Sequence, residues 1–68
     1  MSFIGENLRF LREEAGMTCR ELSYDFDVHR ATISNWESGK LKVSEDRLAE
    51  YADYFDVTIE EIMYGVIR

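Results

Sequence analysis

Two stretches of this sequence, Thr18-Cys19-Arg20-Glu21 and Thr58-Ile59-Glu60-Glu61, share one arrangement of side chains. In each, a threonine is followed three residues later by a glutamate, so a hydroxyl and a carboxylate can satisfy the orphan amides of a helix start. The rest of the 68 residues, among them no proline, carry signals of the same kind. Ile4, Leu8, Leu11 and Ala15 follow a helical period up to Gly16, which stands where a left-handed helix end belongs. Thr18 opens a second helix with Leu22 and Phe26. Asp27 and Val28 leave only a short turn before His29, the N-cap of a third helix over residues 30–38 that Gly39 closes. Ser44 caps a fourth, with Leu48, Tyr51, Ala52 and Phe55 on one side. Thr58 begins a short fifth that includes Ile62 and Met63. No run alternates over a strand's length except residues 64–68, which are too few to count.

Five short helices joined by tight turns predict a compact all-α domain, a single unit over residues 1–68. None is long enough to be stable alone, so packed apolar stripes must supply the stability. The predicted core is Ile4, Leu8, Leu11, Leu22, Phe26, Val28, Ile33, Trp36, Leu48, Ala52, Phe55, Val57 and Ile62. Cys19, the one cysteine, has no partner for an internal disulfide, which fits a reducing compartment. No segment reaches 18 uncharged apolar residues, and Glu6 and Asn7 interrupt any leader-like run, so a cytoplasmic protein with no membrane partner is expected.

The third helix has an unusual outer face. Ile33 and Trp36 fall on one side, and Ala31, Ser34, Asn35 and Ser38 on the other, with Arg30 at the N-terminal edge. A solvated face ordinarily carries long charged side chains; this one is short and polar. The chain has net charge −6, yet its charge is polarised. Residues 29–42 hold Arg30, Lys40 and Lys42 against Glu37, a net of +2, whereas residues 48–68 hold five acids against Arg68 alone, a net of −4. The second and third helices with their tight turn form a helix-turn-helix arrangement, whose second member can enter a DNA major groove if its outward side chains are short. Asn35 offers an amide able to pair with adenine, Arg30 a guanidinium able to fork onto guanine, and Ala31 a methyl contact for thymine.

The segment Met17-Thr-Cys-Arg-Glu-Leu-Ser-Tyr-Asp-Phe-Asp-Val-His-Arg-Ala-Thr-Ile-Ser-Asn-Trp-Glu-Ser-Gly-Lys40 resembles the helix-turn-helix of lambda-repressor-like, Cro-type DNA-binding domains. The likeness runs from about Ile4 to Tyr64 and includes "FDVTIEEIMYG" as a closing helix. It implies that Arg30, Ala31, Ser34 and Asn35 face bases, and that Thr18, His29, Ser38, Lys40 and Lys42 hold phosphates. It also implies a salt bridge between Arg12 and Glu37 that orients the third helix. Two positions depart from the pattern: Cys19 stands where the family usually has a phosphate-bridging Gln, and Asp27 where the turn usually has Gly. Asp27 must then take a left-handed backbone and puts a negative charge near the expected DNA face, so both changes should weaken phosphate affinity.

Trp36 shares a face with Ile33 and belongs to the core rather than to a stacking platform. His29, the one histidine, has no metal-ligand spacing around it, and Cys19 has no adjacent base, so no metal, cofactor or small-molecule substrate is expected. Without a Gly-rich phosphate loop, triad or paired carboxylates, an enzyme is not expected. The expected function is a sequence-specific regulator of transcription, bacterial or phage-encoded and a repressor. It would bind double-stranded DNA as a homodimer on an inverted repeat, with a contact involving the fourth-helix region and Val66-Ile67. The alternative is an antitoxin-like or anti-repressor module whose acidic surface meets a protein.

Overall fold

Caps set the element boundaries. The computed structural model describes residues 3–65, with α1 at Phe3–Glu14, α2 at Cys19–Phe26, α3 at Arg30–Ser38, α4 at Glu45–Phe55 and α5 at Ile59–Tyr64. Both threonine–glutamate boxes form in full: the Thr18 hydroxyl accepts from the Glu21 amide at 3.1 Å, and the Thr58 hydroxyl from the Glu61 amide at 3.0 Å. Ser44 caps α4 through the Arg47 amide, and the His29 Nδ1 accepts from the Ala31 amide at the head of α3. No strand occurs among the described residues.

Three helices end on a left-handed residue followed by an apolar one. Gly16 (φ 70°), Asp27 (φ 54°) and Asp56 (φ 57°) reverse the chain. The next amide in each case, from Met17, Val28 or Val57, donates back to a carbonyl of the helix just ended. Those three apolar residues then lie half-buried against the core. The short α2–α3 turn therefore survives without glycine, at the strain cost of an L-residue in the left-handed region.

The core collects Leu8, Leu11, Leu22, Phe26, Ile33, Trp36, Leu48, Ala52 and Ile62 from all five helices, as the periodicity predicts. Ile4, Val28, Phe55 and Val57, expected inside it, stand at its margin instead. The last two flank the α4–α5 turn, where there is too little chain to cover them. Tyr51 and Val43 take interior places that the predicted core omits. Tyr51 is the hub of an aromatic group, with ring centroids 4.6 Å from Phe26, 6.1 Å from Trp36 and 6.0 Å from Phe55. Its hydroxyl is buried without a hydrogen-bond partner, and burial pushes its pKa well above the ordinary tyrosine value.

α1 packs against both α3 and α5, so the first and last helices are neighbours. There Asn7 is buried and donates both amide hydrogens, to the carbonyl of Ile62 at 2.9 Å and to that of Gly65 at 2.8 Å. It satisfies carbonyls that the C-terminus of α5 leaves open, the role a local cap plays elsewhere in the chain. A further tie joins α4 to α2, where the Tyr54 hydroxyl donates to the Asp25 carboxylate.

Candidate nucleic-acid interface

α3 is anchored through its inner face and its far end. Ile33 is fully buried and Trp36 nearly so, which fixes the rotation of the helix about its own axis. Arg12 of α1 then grips Glu37 with two parallel bonds, Nε to Oε2 at 2.8 Å and a terminal nitrogen to Oε1 at 3.1 Å. Its remaining terminal nitrogen donates to the Met17 carbonyl at 2.7 Å, so one guanidinium ties α1, α3 and the entry to α2. The two side chains are only 12% and 7% exposed. The hydrogen bond to Glu37 raises the Arg12 pKa, against the lowering effect of burial. A fork of this kind fixes direction as well as distance.

Gly5 supplies what the ion pair alone lacks, a close approach of the two backbones. A Cβ there would lie 2.3 Å from the Glu37 carbonyl oxygen and 2.9 Å from that of Trp36. Neither Gly5 nor Asn7 carries a signal in the sequence that marks it for this work, since each acts on residues more than 30 positions away. Arg47 also acts across the chain, at shorter range. It reaches the Phe26 carbonyl at the end of α2 and lies 5.6 Å from the Trp36 ring centroid.

The outward side of α3 is open. Arg30, Ala31, Ser34 and Ser38 are exposed and Asn35 is half-buried, so none is covered by the protein's own helices. Lys40 and Lys42, just beyond the end of α3, are exposed and form no ion pair among the described residues. The remaining members of the expected phosphate set have prior engagements. Ser38 donates its hydroxyl to the Asn35 carbonyl at 3.3 Å, and Thr18 commits its own amide to the Glu21 carboxylate at 2.9 Å. His29 caps α3 with Nδ1, which leaves Nε2–H as the donor of the neutral ring. Cys19, in place of a longer amide side chain, lines a small hollow with Arg9, Arg12, Ser34, Glu37 and Ser38. Among the described residues no three His, Cys, Asp or Glu side chains gather as metal ligands. Nor is any helix among them long and apolar enough to cross a membrane.

This arrangement has relatives. Residues 5–66 match the helix-turn-helix domain family, over all five helices. The chain belongs to that family. This helix-turn-helix domain is also 37% identical over 60 residues to the HTH-type transcriptional activator BcrR of Enterococcus faecalis. That alignment takes in 88% of this chain and 29% of the relative, so the chain spans under a third of the length of the curated protein it matches. No solved structure matches it. In this helix-turn-helix domain α2 and α3 are the two members of the motif, and Asp27-Val28 is the turn between them.

Proposed function

We propose that this helix-turn-helix domain, one unit over residues 1–68, binds double-stranded DNA in a sequence-specific manner and regulates transcription, reading the major groove with α3. The observation that carries the reading is the open, short-chained face of Ala31, Ser34 and Asn35 on a helix whose other side is locked into the core. A groove about 12 Å wide admits such a helix, and a rigid mount lets side-chain chemistry choose the base. Lys40 and Lys42 lie free to meet phosphates at the far end of α3.

One copy presents too few base-reading side chains for useful specificity, so the reading includes a homodimer on an inverted repeat with half-sites about one helical turn apart. An apolar groove of about 720 Å³ between the α3–α4 loop, α4 and α5 supports it. Leu41 lines it and is 45% exposed, an apolar side chain that a second copy would cover. Val66 and Ile67, also expected at the contact, lie outside the described residues. Repression needs only occupancy of a promoter by a cytoplasmic protein, bacterial or phage-encoded, acting without catalysis or cofactor. The relative is named an activator, and a reporter with the site placed within or upstream of a promoter separates the two signs of regulation.

Selection of bound sequences from a random duplex library tests the reading. Asn35→Ala should cost about 1–3 kcal/mol at one base position, whereas Lys40→Gln should weaken all sequences alike. Unchanged binding of the selected site by both variants would remove the assignment. The net charge of −6 favours a second reading, an antitoxin-like or anti-repressor module with a protein partner. A blank selection, together with no binding of random duplex at low salt, would decide for it.

A further inference from the structure

The arginines among the described residues divide into two groups. Arg9, Arg12 and Arg47 each face a glutamate: Glu13, Glu37 and Glu50 in turn. Arg20 and Arg30 form no ion pair and no side-chain hydrogen bond among the described residues, in a chain where acids outnumber bases by 14 to 8. These two unpaired arginines come from different helices and line the same cleft. Arg20, Ser23 and Tyr24 of α2 and Val28, His29 and Arg30 at the α2–α3 corner line one cleft of about 300 Å³, without a carboxylate in its wall.

The groups around this cleft are donors. Each guanidinium brings five N–H bonds and no acceptor. His29 turns its acceptor nitrogen to the Ala31 amide, which leaves Nε2–H, and the exposed Tyr24 has a hydroxyl with no partner among the described residues. Ser23 contributes shape only, because its hydroxyl is held by the Arg20 carbonyl at 2.6 Å. Two unpaired cations lining one cleft repel each other unless an anion joins them. A tetrahedral, multiply accepting anion suits two arginine forks better than a carboxylate does.

We infer that the Arg20–His29–Arg30 cleft is a phosphate site, and that its occupant is a backbone phosphodiester flanking the bases that α3 reads. This rests on the DNA-binding reading above and deepens it. It adds Arg20 and Tyr24 to the interface, and it moves Arg30 from base reading to backbone anchoring. It also gives the domain a substitute for the bridging Gln that Cys19 replaces. The site stands one residue further along α2 and is made by charge rather than by an amide.

Salt titration of duplex binding by the whole chain is the test. Each lost phosphate contact should lower the slope of log K against log salt by about 0.9 and weaken binding about 8-fold at 0.1 M salt. Arg20→Gln and Arg30→Gln should each do so equally on the selected site and on random duplex. Arg9→Gln, with its charge already answered by Glu13, should leave the slope in place. An equal loss in Arg9→Gln, no loss in Arg20→Gln, or a loss in Arg30→Gln confined to the selected site would each overturn the inference.

If the wild-type chain binds no duplex at all, the functional reading fails, and titration with inorganic phosphate decides the cleft separately. Saturable NMR shifts at the Arg20, His29 and Arg30 side chains, abolished in Arg20→Gln, would retain a phosphate site for a free ligand. Absence of such shifts would overturn it.

Discussion

Replacing Gly5 with alanine sets two physical effects against each other. On helix propensity alone, alanine gains up to about 1 kcal/mol over glycine in a helix. The tertiary structure predicts the opposite sign. The added Cβ would stand 2.3 Å from the Glu37 carbonyl oxygen, where ordinary contact begins at 3.4 Å, so α1 and α3 must part by about 1.1 Å. The obstructing atoms are backbone at the end of α3, which no rotamer change can move. Overpacking of this kind costs about 1–3 kcal/mol. The same displacement stretches the Arg12–Glu37 fork from its 2.8 and 3.1 Å bonds, and a charge-assisted bond is worth about 1.5–3 kcal/mol. With the propensity gain set against these, Gly5→Ala should lose about 2–4 kcal/mol. A domain of this size has about 3–10 kcal/mol in total, so the loss takes a large share of it and should lower the Tm by more than about 10 °C. Urea unfolding followed by Trp36 fluorescence and far-UV circular dichroism measures the loss. A variant within about 0.5 kcal/mol of the wild type, or above it, would refute the close-approach argument.

Asn7→Ala should cost about 2–3 kcal/mol in the same assay, because it leaves the Ile62 carbonyl buried without a donor; Asn7→Asp should cost more, by placing a carboxylate against two carbonyl oxygens. Tyr51→Phe should be neutral or stabilising at pH 7, since it removes a buried hydroxyl with no partner. The raised Tyr51 pKa also predicts a pH effect: above pH 10 the unfolded chain releases this proton while the folded chain keeps it, so stability should fall by up to about 1.4 kcal/mol per pH unit. Chemical denaturation between pH 8 and 11 checks this, and an unchanged slope in Tyr51→Phe would count against it. Asp27→Gly should stabilise the fold by about 0.5–1 kcal/mol by relieving the left-handed backbone at φ 54°, seen as a higher urea midpoint with unchanged m.

How far the sequence could be read follows from the range of each interaction. The third helix begins at Arg30 and ends at Ser38, where the sequence places it, because His29 and Gly39 act on amides and carbonyls within three residues of themselves. The interior half of the core was legible for the same reason, since a helical stripe is periodic over a few turns. Tyr51 stands on the apolar side of the fourth helix yet is absent from the predicted core, because the aromatic group its ring completes is drawn from three helices and exists only once they pack. Val43 was missed because it lies in a loop, where no period marks an inward side chain. At the candidate interface, the open face of α3 was visible as residue type. The Thr18–Glu21 box was legible too, and the Arg12–Glu37 pair followed from the family resemblance, whereas the hold of Ser38 on the Asn35 carbonyl and the unpaired state of Arg20 and Arg30 among the described residues were not.

The sequence by itself determined the helices of this domain, their caps and turns, and which side of each helix is apolar, because those depend on chemistry repeated or answered within about four residues. The tertiary structure alone decided how α3 is mounted and what surrounds it: Gly5 against the Glu37 carbonyl, Asn7 closing α5 from 55 residues away, and Arg20 and Arg30 lining one cleft. Such contacts join residues distant along the chain, and their geometry exists only once the helices have packed.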